Sequence, residues 1–397
     1  MRRATRGRTR DRTENRPPEG SIALSPELLR LLRETSRSFY LTLRVLPPAV
    51  RPQIGLAYLL ARATDTIADT ELVPVEDRLA ALAALRGRIV GEHREPLDLS
   101  RLAASQTGKG SDGERRLLQR VEAAVELLAQ AGSADQALIR DVLATITSGQ
   151  ELDLRRFCGV PGGSDPAIPP VLEPAASPLP DEIAPKSAAL SPPVIAPPTP
   201  SGAVTALATE EELDDYTYRV AGCVGGFWTR LTRARVFPGA VIDDARFLSD
   251  GIRFGKGLQL VNILRDLPKD LRAGRCYIPA SMLARAGLVP RDLLDPANGP
   301  RLRPVYLELL DRAQSDLEAG WRYTNAIPRG QIRLRLACAW PVLIGVKTIA
   351  RLCNADVLDA RKRVKVSRSE VEWLLVTSVM KLPFRGAWER QFADHSG

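Results

Sequence analysis

Tyr58-Leu-Leu-Ala-Arg62-Ala-Thr-Asp65-Thr-Ile-Ala-Asp69 decides how this chain is read. Its polar residues Tyr58, Arg62, Asp65 and Asp69 step by four, three and four, so on a helix they form one continuous stripe. Leu59, Leu60 and Ile67 fall elsewhere on the wheel and can enter a core. Carboxylates one turn apart repel, and a purely structural helix gains nothing from them. A hard cation reverses that balance, because Mg²⁺ takes oxygen ligands and shares its coordination with substrate phosphates. The chain repeats the device. Gln259, Asn262, Asp266 and Asp270 step by three, four and four, with Arg265 alongside and Arg275 just beyond. Two such stripes, far apart in sequence, suggest two facing helices gripping one metal–diphosphate. Two solvated acidic helix faces are the plainer reading of either stripe alone. Arg62 reads either as an ion pair one turn from Asp65 or as a planar clamp for phosphate. Pro268 would clash with the Leu264 carbonyl and remove a helical hydrogen bond, so the second helix is expected to kink or end there. That leaves Asn262 and Asp266 the firmer pair and Asp270 the weaker ligand.

Four ordered blocks give the stripes a context. Ser36-Arg37-Ser38-Phe39 comes first, then Tyr58 to Asp69, then Tyr216-Thr-Tyr218-Arg-Val-Ala-Gly222-Cys-Val-Gly225. The last runs from Gln259 to Pro279 and closes with Gly274-Arg-Cys-Tyr-Ile-Pro279. In type and order these blocks resemble the squalene/phytoene synthases, the head-to-head branch of the isoprenoid synthases. The resemblance organises residues 21–385. It implies an all-α, single-domain isoprenoid synthase fold with helices around a deep central cavity. The activity it implies is condensation of two prenyl diphosphates, most often farnesyl diphosphate, through a cyclopropyl intermediate.

Ionising an allylic diphosphate requires stabilising the charge of its leaving group, which metals and arginines do best. On that reading Asp65, Asp69, Asn262, Asp266 and Asp270 hold Mg²⁺, with Asp65 and Asp266 central to catalysis. Arg37, Arg62, Arg265 and Arg275 hold diphosphate oxygens, and Ser36, Phe39, Tyr58 and Gln259 complete the substrate site. The resemblance assigns Tyr216 to proton removal in the first half-reaction; a core tyrosine bonded to a carbonyl is the alternative. Gly222, Gly225 and Gly226 run against helix propensity, which points to close approach of a substrate chain or a neighbouring helix. Ser36 and Ser38 either cap a helix or border the substrate entrance. Gly149-Gln150-Glu151-Leu-Asp153 is a polar break in an amphipathic helix, and Gln150 and Asp153 face either the cavity or the surface.

The C-terminal third bears on cofactor use. Ala337-Cys-Ala-Trp-Pro341 followed by Val364-Lys365-Val-Ser-Arg368 is similar to the squalene branch, in which hydride from NADPH quenches the final cation. The resemblance thereby places Lys365 and Arg368 at an NADPH pocket, although Ser367 stands where the family often has another basic residue. No Gly-x-Gly-x-x-Gly follows a strand, so a nicotinamide site here is not of the Rossmann type. Ala68 stands where many squalene synthases carry glutamate, leaving two carboxylates in the first motif. The expected activity is squalene synthase: two farnesyl diphosphates to presqualene diphosphate, then reduction by NADPH to squalene. One alternative is a phytoene/dehydrosqualene or presqualene diphosphate synthase that needs no reductant. Another, of a different class, is a non-catalytic assembly protein of the same fold. Retention of both carboxylate clusters with their arginines counts against the last.

Composition sets outer bounds. The 397 residues carry a net charge of +9, which suits anionic partners such as diphosphates or anionic lipid. Much of that excess lies in Met1–Arg16, and no zinc-finger, RNP or helix–turn–helix signature accompanies it, so nucleic acid is not an expected partner. Hydrophobic content of 44% supplies a sizeable core, and aromatic content of only 5% makes it a core of Leu, Ala, Val and Ile. The five cysteines show no paired spacing and read as reduced core residues of a cytosolic protein. Two histidines exclude histidine-based zinc sites and His-dependent triads. The charged N-terminal stretch has no apolar signal region, and Leu336–Val346 is too short to span a bilayer. The eukaryotic relatives carry a C-terminal membrane anchor that this sequence does not show. Cytoplasmic residence as a monomer or weak dimer is expected, with loose peripheral membrane association compatible with so apolar a product.

Along the chain, residues 1–20 read as a disordered basic tail and 21–397 as the synthase domain. A Pro-rich inserted loop interrupts it at 159–204 and holds 13 of the 31 prolines. A helical pattern begins at Pro26, in a segment that Pro47-Pro48 ends, and others are expected at 54–69, 79–90, 115–131, 135–157, 210–235, 243–267, 304–319, 334–353 and 369–381, with no strand of any length.

Overall fold

The computed structural model describes residues 22–36, 39–70, 72–106, 111–158, 204–359, 361 and 364–396. The basic tail, Arg37, Ser38 and all of the Pro-rich insertion except Val204 lie outside the described residues. The described residues are mostly helical: α1 (Pro26–Thr35), α2 (Phe39–Val45), α3 (Arg51–Ala68), α4 (Val75–Val90), α5 (Ser100–Ala104), α6 (Ser111–Gln119), α7 (Val121–Ala129) and α8 (Ser133–Phe157) precede the insertion. After it come α9 (Glu210–Thr217), α10 (Cys223–Arg235), α11 (Asp244–Arg272), α12 (Ala280–Arg285), α13 (Gly299–Ala326), α14 (Ile332–Leu352), α15 (Arg368–Lys381) and α16 (Arg385–Ser396).

Local chemistry explains where several helices begin. Ser25, Thr209 and Asp243 each accept a backbone N–H from the first turn of α1, α9 and α11, satisfying donors that a helix start leaves free. Ser367 and Glu370 form a reciprocal capping box at the head of α15. Ser36 acts at the opposite end from the one expected. It closes the C-terminus of α1, its backbone N–H and its hydroxyl both donating to the Leu32 carbonyl.

Apolar faces assemble two clusters. One gathers α1, α3, α4, α7 and α8 with Phe227, Phe237, Phe247 and Tyr323. The other gathers the second half of α11 with α12, α13, α14, Leu374 and Trp388. Helix α11 takes part in both and packs against α10, α13 and α14. Its contact with the 210–235 segment is unusually close. A methyl carbon placed on Gly225 would sit 1.9 Å from the Gly251 carbonyl oxygen, and one on Gly255 2.2 Å from that of Ala221. The small residues there admit a neighbouring helix. Gly226 meets nothing nearer than 3.6 Å, so it is not required by that crossing.

Five expectations change. The 115–131 pattern divides at Arg120 into α6 and α7, and a π-turn at Tyr218–Gly222 interrupts the 210–235 helix. Helix α11 does not end at Pro268; it runs on to Arg272. The reason lies in α13, where the Tyr306 hydroxyl donates to the Leu264 carbonyl at 3.0 Å, replacing the N–H that proline lacks. A short parallel strand pair forms, β1 (Thr205–Ala206) with β2 (Arg275–Cys276), tying the chain after the insertion to the end of the second motif. Among the cysteines, Cys223, Cys276 and Cys338 are buried as expected, but Cys158 is exposed and Cys353 partly so.

Candidate active site

The two aspartate stripes meet through a third helix. On α3, Asp65 accepts a hydrogen bond from Gln150 Nε2 of α8 at 2.6 Å, while Arg62 stands 3.6 Å from its other oxygen. One turn further along α8, Asp153 accepts from the Tyr277 hydroxyl at 3.0 Å and from Arg275 Nη1 at 3.3 Å. Asp69, which closes the C-terminus of α3, is near enough to act on both Asp153 and Arg275. From the other side Asp270 of α11 feels Asp266, Arg275 and Asp153. Carboxylates on α3, α8 and α11 therefore share one electrostatic neighbourhood, with Arg275 among them.

The crowding has a measurable cost in charge. Burial, and then the neighbouring Asp69, push Asp65 up to about 6, although half of its side chain still meets solvent. Burial lifts Asp153 to about 6 against the opposing pull of Arg275. Burial and Asp266 lift Asp270 to about 6. Burial opposes the charge of Arg275, but Asp153, Tyr277 and Asp69 together outweigh it and hold the guanidinium firmly protonated.

Tyr216 of α9 is buried and stacks on Tyr277, with ring centroids 4.7 Å apart. The Tyr216 and Tyr277 side chains interact directly, and Tyr277 in turn donates to Asp153. Burial, then the charge of Asp153, raise Tyr216 well above the ordinary phenol value. It is a neutral phenol at physiological pH.

Other expected residues are placed as follows. Arg62 is held mainly by Glu114 of α6, and its Nε is buried without a hydrogen-bond partner among the described residues. The Tyr58 hydroxyl donates to the Thr35 carbonyl at 3.2 Å. Gln259 and Asn262 are partly buried on the α11 face that carries Asp266 and Asp270. Arg265 folds back onto Asp266 at 2.6 Å. Ser36 is buried against α1; Arg37 and the side chain of Phe39 lie outside the described residues. Lys365 and Arg368 sit elsewhere, at the head of α15. The Lys365 carbonyl accepts from Arg351, and Arg368 is 95% exposed with Glu372 at 3.3 Å. Gln150 and Asp153, left undecided between cavity and surface, belong to the site. Tyr277 lay inside a quoted block but received no role; only its tertiary bond to Asp153 reveals one.

The donor set bears on whether a hard cation binds here. Among the described residues no three carboxylate, cysteine or histidine groups converge tightly enough to ligate an ion by themselves. Yet the donors are all oxygen, three carboxyls are raised by burial and like charge, and Gln150 Oε1 is buried without a partner among the described residues. Those features fit a divalent ion whose shell is completed by phosphate oxygens and water. Neither of two hollows is lined by these donors themselves. One of about 370 Å³ is lined by Phe247, Asp250 and Arg322 near the start of α11, and one of about 210 Å³ by Leu271, Leu294 and Leu358.

An all-α fold with carboxylates on facing helices, cations between them and a buried phenol pair defines the isoprenoid synthase class. Residues 32–370 match the squalene/phytoene synthase family, and the chain belongs to it, a family of prenyltransferases. It is 27% identical over 344 residues to the presqualene diphosphate synthase of Zymomonas mobilis subsp. mobilis, covering 86% of this chain and 88% of that one. It is 36% identical over 135 residues to the 15-cis-phytoene synthase of Enterobacter agglomerans, but that match spans only 33% of this chain and 41% of the relative. In fold it resembles TcSQS in complex with the ligand BPH1237, at a TM-score of 0.62 and 17% identity over 94% of this chain and 100% of that one.

Proposed function

We propose that this chain condenses two molecules of farnesyl diphosphate head to head into presqualene diphosphate. The observation that carries this reading is the meeting of both aspartate stripes around Asp153 and Arg275. The presqualene diphosphate synthase relative, similar along most of both chains, supports the same product. A divalent cation, when bound, supplies Lewis-acid neutralisation of the departing diphosphate. Asp65, Asp69, Asn262, Asp266 and Asp270 would hold it, and their oxygen donors suit Mg²⁺. Arg275, and Arg62 through its unpartnered Nε, are positioned to take diphosphate oxygens.

In the condensation, the C1–O bond of one diphosphate breaks with its electron pair leaving on diphosphate. The double bond of the second substrate attacks that carbon, and loss of a proton closes the three-membered ring. Tyr216, Tyr277 and Asp153 form a relay for this proton. Tyr216 Oη takes it from carbon while giving its own to Tyr277, and Tyr277 gives its proton to the Asp153 carboxylate. Tyr216 thus serves as a proton carrier, consistent with a phenol that stays neutral.

A second reading carries the product onward to squalene with NADPH as hydride donor. Lys365 and Arg368 favour it, as exposed cations at the start of α15 suited to a 2′-phosphate. Incubation of the protein with farnesyl diphosphate and Mg²⁺, with and without NADPH, separates the two. Presqualene diphosphate in both arms supports the first, and squalene confined to the NADPH arm the second. A dehydrosqualene product without reductant overturns both.

A further inference from the structure

Among the described residues an apolar face runs unpartnered along α15. Trp373, Val376 and Met380 step by three and four and so lie on one line of the helix, with Val379 beside it. Phe384 prolongs the stripe into the turn before α16. Trp373 is 68% exposed, Met380 66% and Phe384 67%, and both valines are more than half exposed. The opposite face does the anchoring: Leu374 and Ser378 are buried, and Ser378 Oγ accepts from Trp340 Nε1 of α14 at 2.9 Å. The stripe is therefore not what attaches α15 to the body. Single exposed apolar residues are ordinary on soluble surfaces, but five large ones together mark a contact site.

Charge indicates what the contact is. With Lys347 and Arg351 of α14, which reach Glu370, the described residues from Asp359 onward carry eight Lys or Arg against five Asp or Glu. All five acids are already engaged: Asp359 by Arg361, Glu370 by Lys347 and Arg351, Glu372 by Arg368, Glu389 by Arg385 and Asp394 by Lys381. The surplus around the stripe is positive. A second copy would bring the same surplus against it and be repelled. An anionic bilayer offers the complement, an apolar interior beneath negatively charged headgroups. Tryptophan, apolar in body with a polar N–H, suits that boundary. Among the described residues no helix is long and apolar enough to cross a bilayer, so α15 would lie in its surface.

We propose that α15 docks the protein on anionic membrane surfaces, Trp373, Val376, Val379, Met380 and Phe384 entering the acyl boundary while nearby basic residues meet headgroup phosphates. The proposal does not depend on the reaction assigned above. The full chain is sedimented with vesicles of phosphatidylcholine, alone or with about one-third phosphatidylglycerol. Binding is expected to the anionic vesicles and to weaken in about 0.5 M NaCl. A combined Trp373→Ser, Val376→Ser, Met380→Ser variant should lose at least about tenfold in partitioning. Its thermal unfolding should stay close to the parent's, because the three side chains are exposed. Should that variant fold poorly, bromine-labelled acyl chains should still quench parent tryptophan fluorescence, and Trp373→Phe should remove most of the quenching. Failure to bind anionic vesicles, or binding untouched by these substitutions, overturns the proposal. So does a dimer in solution that the triple variant dissolves, which would make the stripe an interface between copies.

Discussion

Asp153 is the residue on which the site turns, since it accepts hydrogen bonds from both Arg275 and Tyr277. If it terminates the proton relay, it must be ionised to accept. With its carboxyl lifted to about 6, activity should fall as pH drops through that region and level off above it. Asp153→Asn should lower kcat by about 10²–10⁴ and remove its share of that acidic limb, leaving the part due to Asp65 and Asp270, with KM changed much less. Tyr277→Phe should show the same kcat loss, and an unchanged acidic limb in Asp153→Asn would contradict the relay. Gln150 plays a different part, fixing Asp65 from behind through a single 2.6 Å bond. Gln150→Ala should raise the Mg²⁺ concentration needed for half-maximal rate by about 10–100-fold, as loss of an orienting partner does at metal sites. A rate loss without that shift would place Gln150 on the substrate instead. The sequence displayed Asp65, Asp69, Asp266 and Asp270 through their spacing alone. Gln150 and Asp153 were visible only as a polar break, because which way a helix face points depends on what packs against it.

Helix positions were legible wherever one element's own periodicity controls it. Helix α15 was expected at 369–381 and runs Arg368–Lys381. Departures arise where a distant partner overrides a local rule. Pro268 is the clearest case, since its rescue comes from Tyr306, far along the chain on α13. That account is testable as a cycle. Tyr306→Phe alone should cost about 1–3 kcal/mol in urea unfolding, because it leaves the Leu264 carbonyl buried and unpaired. With Pro268→Ala in place, the restored N–H can serve that carbonyl, and the same Tyr306→Phe change should cost clearly less. Equal costs in both backgrounds would show that the hydroxyl matters for some other reason. The strand pair β1–β2 escaped notice for a similar cause. Two residues on each side are too few to show alternation, and their pairing is tertiary.

At the scale of the whole molecule the site lies on the seam between the two apolar clusters. Asp65 and Gln150 stand on helices whose neighbours Ile67 and Leu154 belong to the first. Tyr216, Tyr277 and the residues flanking Asp270 belong to the second. A metal–diphosphate bound there would bridge the two, while the bare site holds carboxyls whose charge is opposed by burial and by one another. Cation and diphosphate should therefore stabilise the fold cooperatively, each lowering the cost of the other's charge. A ligand pair at about 100 times its dissociation constant adds about 2.7 kcal/mol. The unfolding entropy of a chain this size is on the order of 0.7 kcal/mol/K. The melting temperature should thus rise by about 4 °C with Mg²⁺ and inorganic diphosphate together, and by clearly less with either alone. Asp65→Asn and Asp270→Asn remove ligands from opposite walls, so each alone should abolish the joint effect while leaving the ligand-free protein folded. If Asp65→Asn removes it and Asp270→Asn does not, the cation belongs to the α3 wall only. Helix α11 would then meet the substrate through Arg275 rather than through metal.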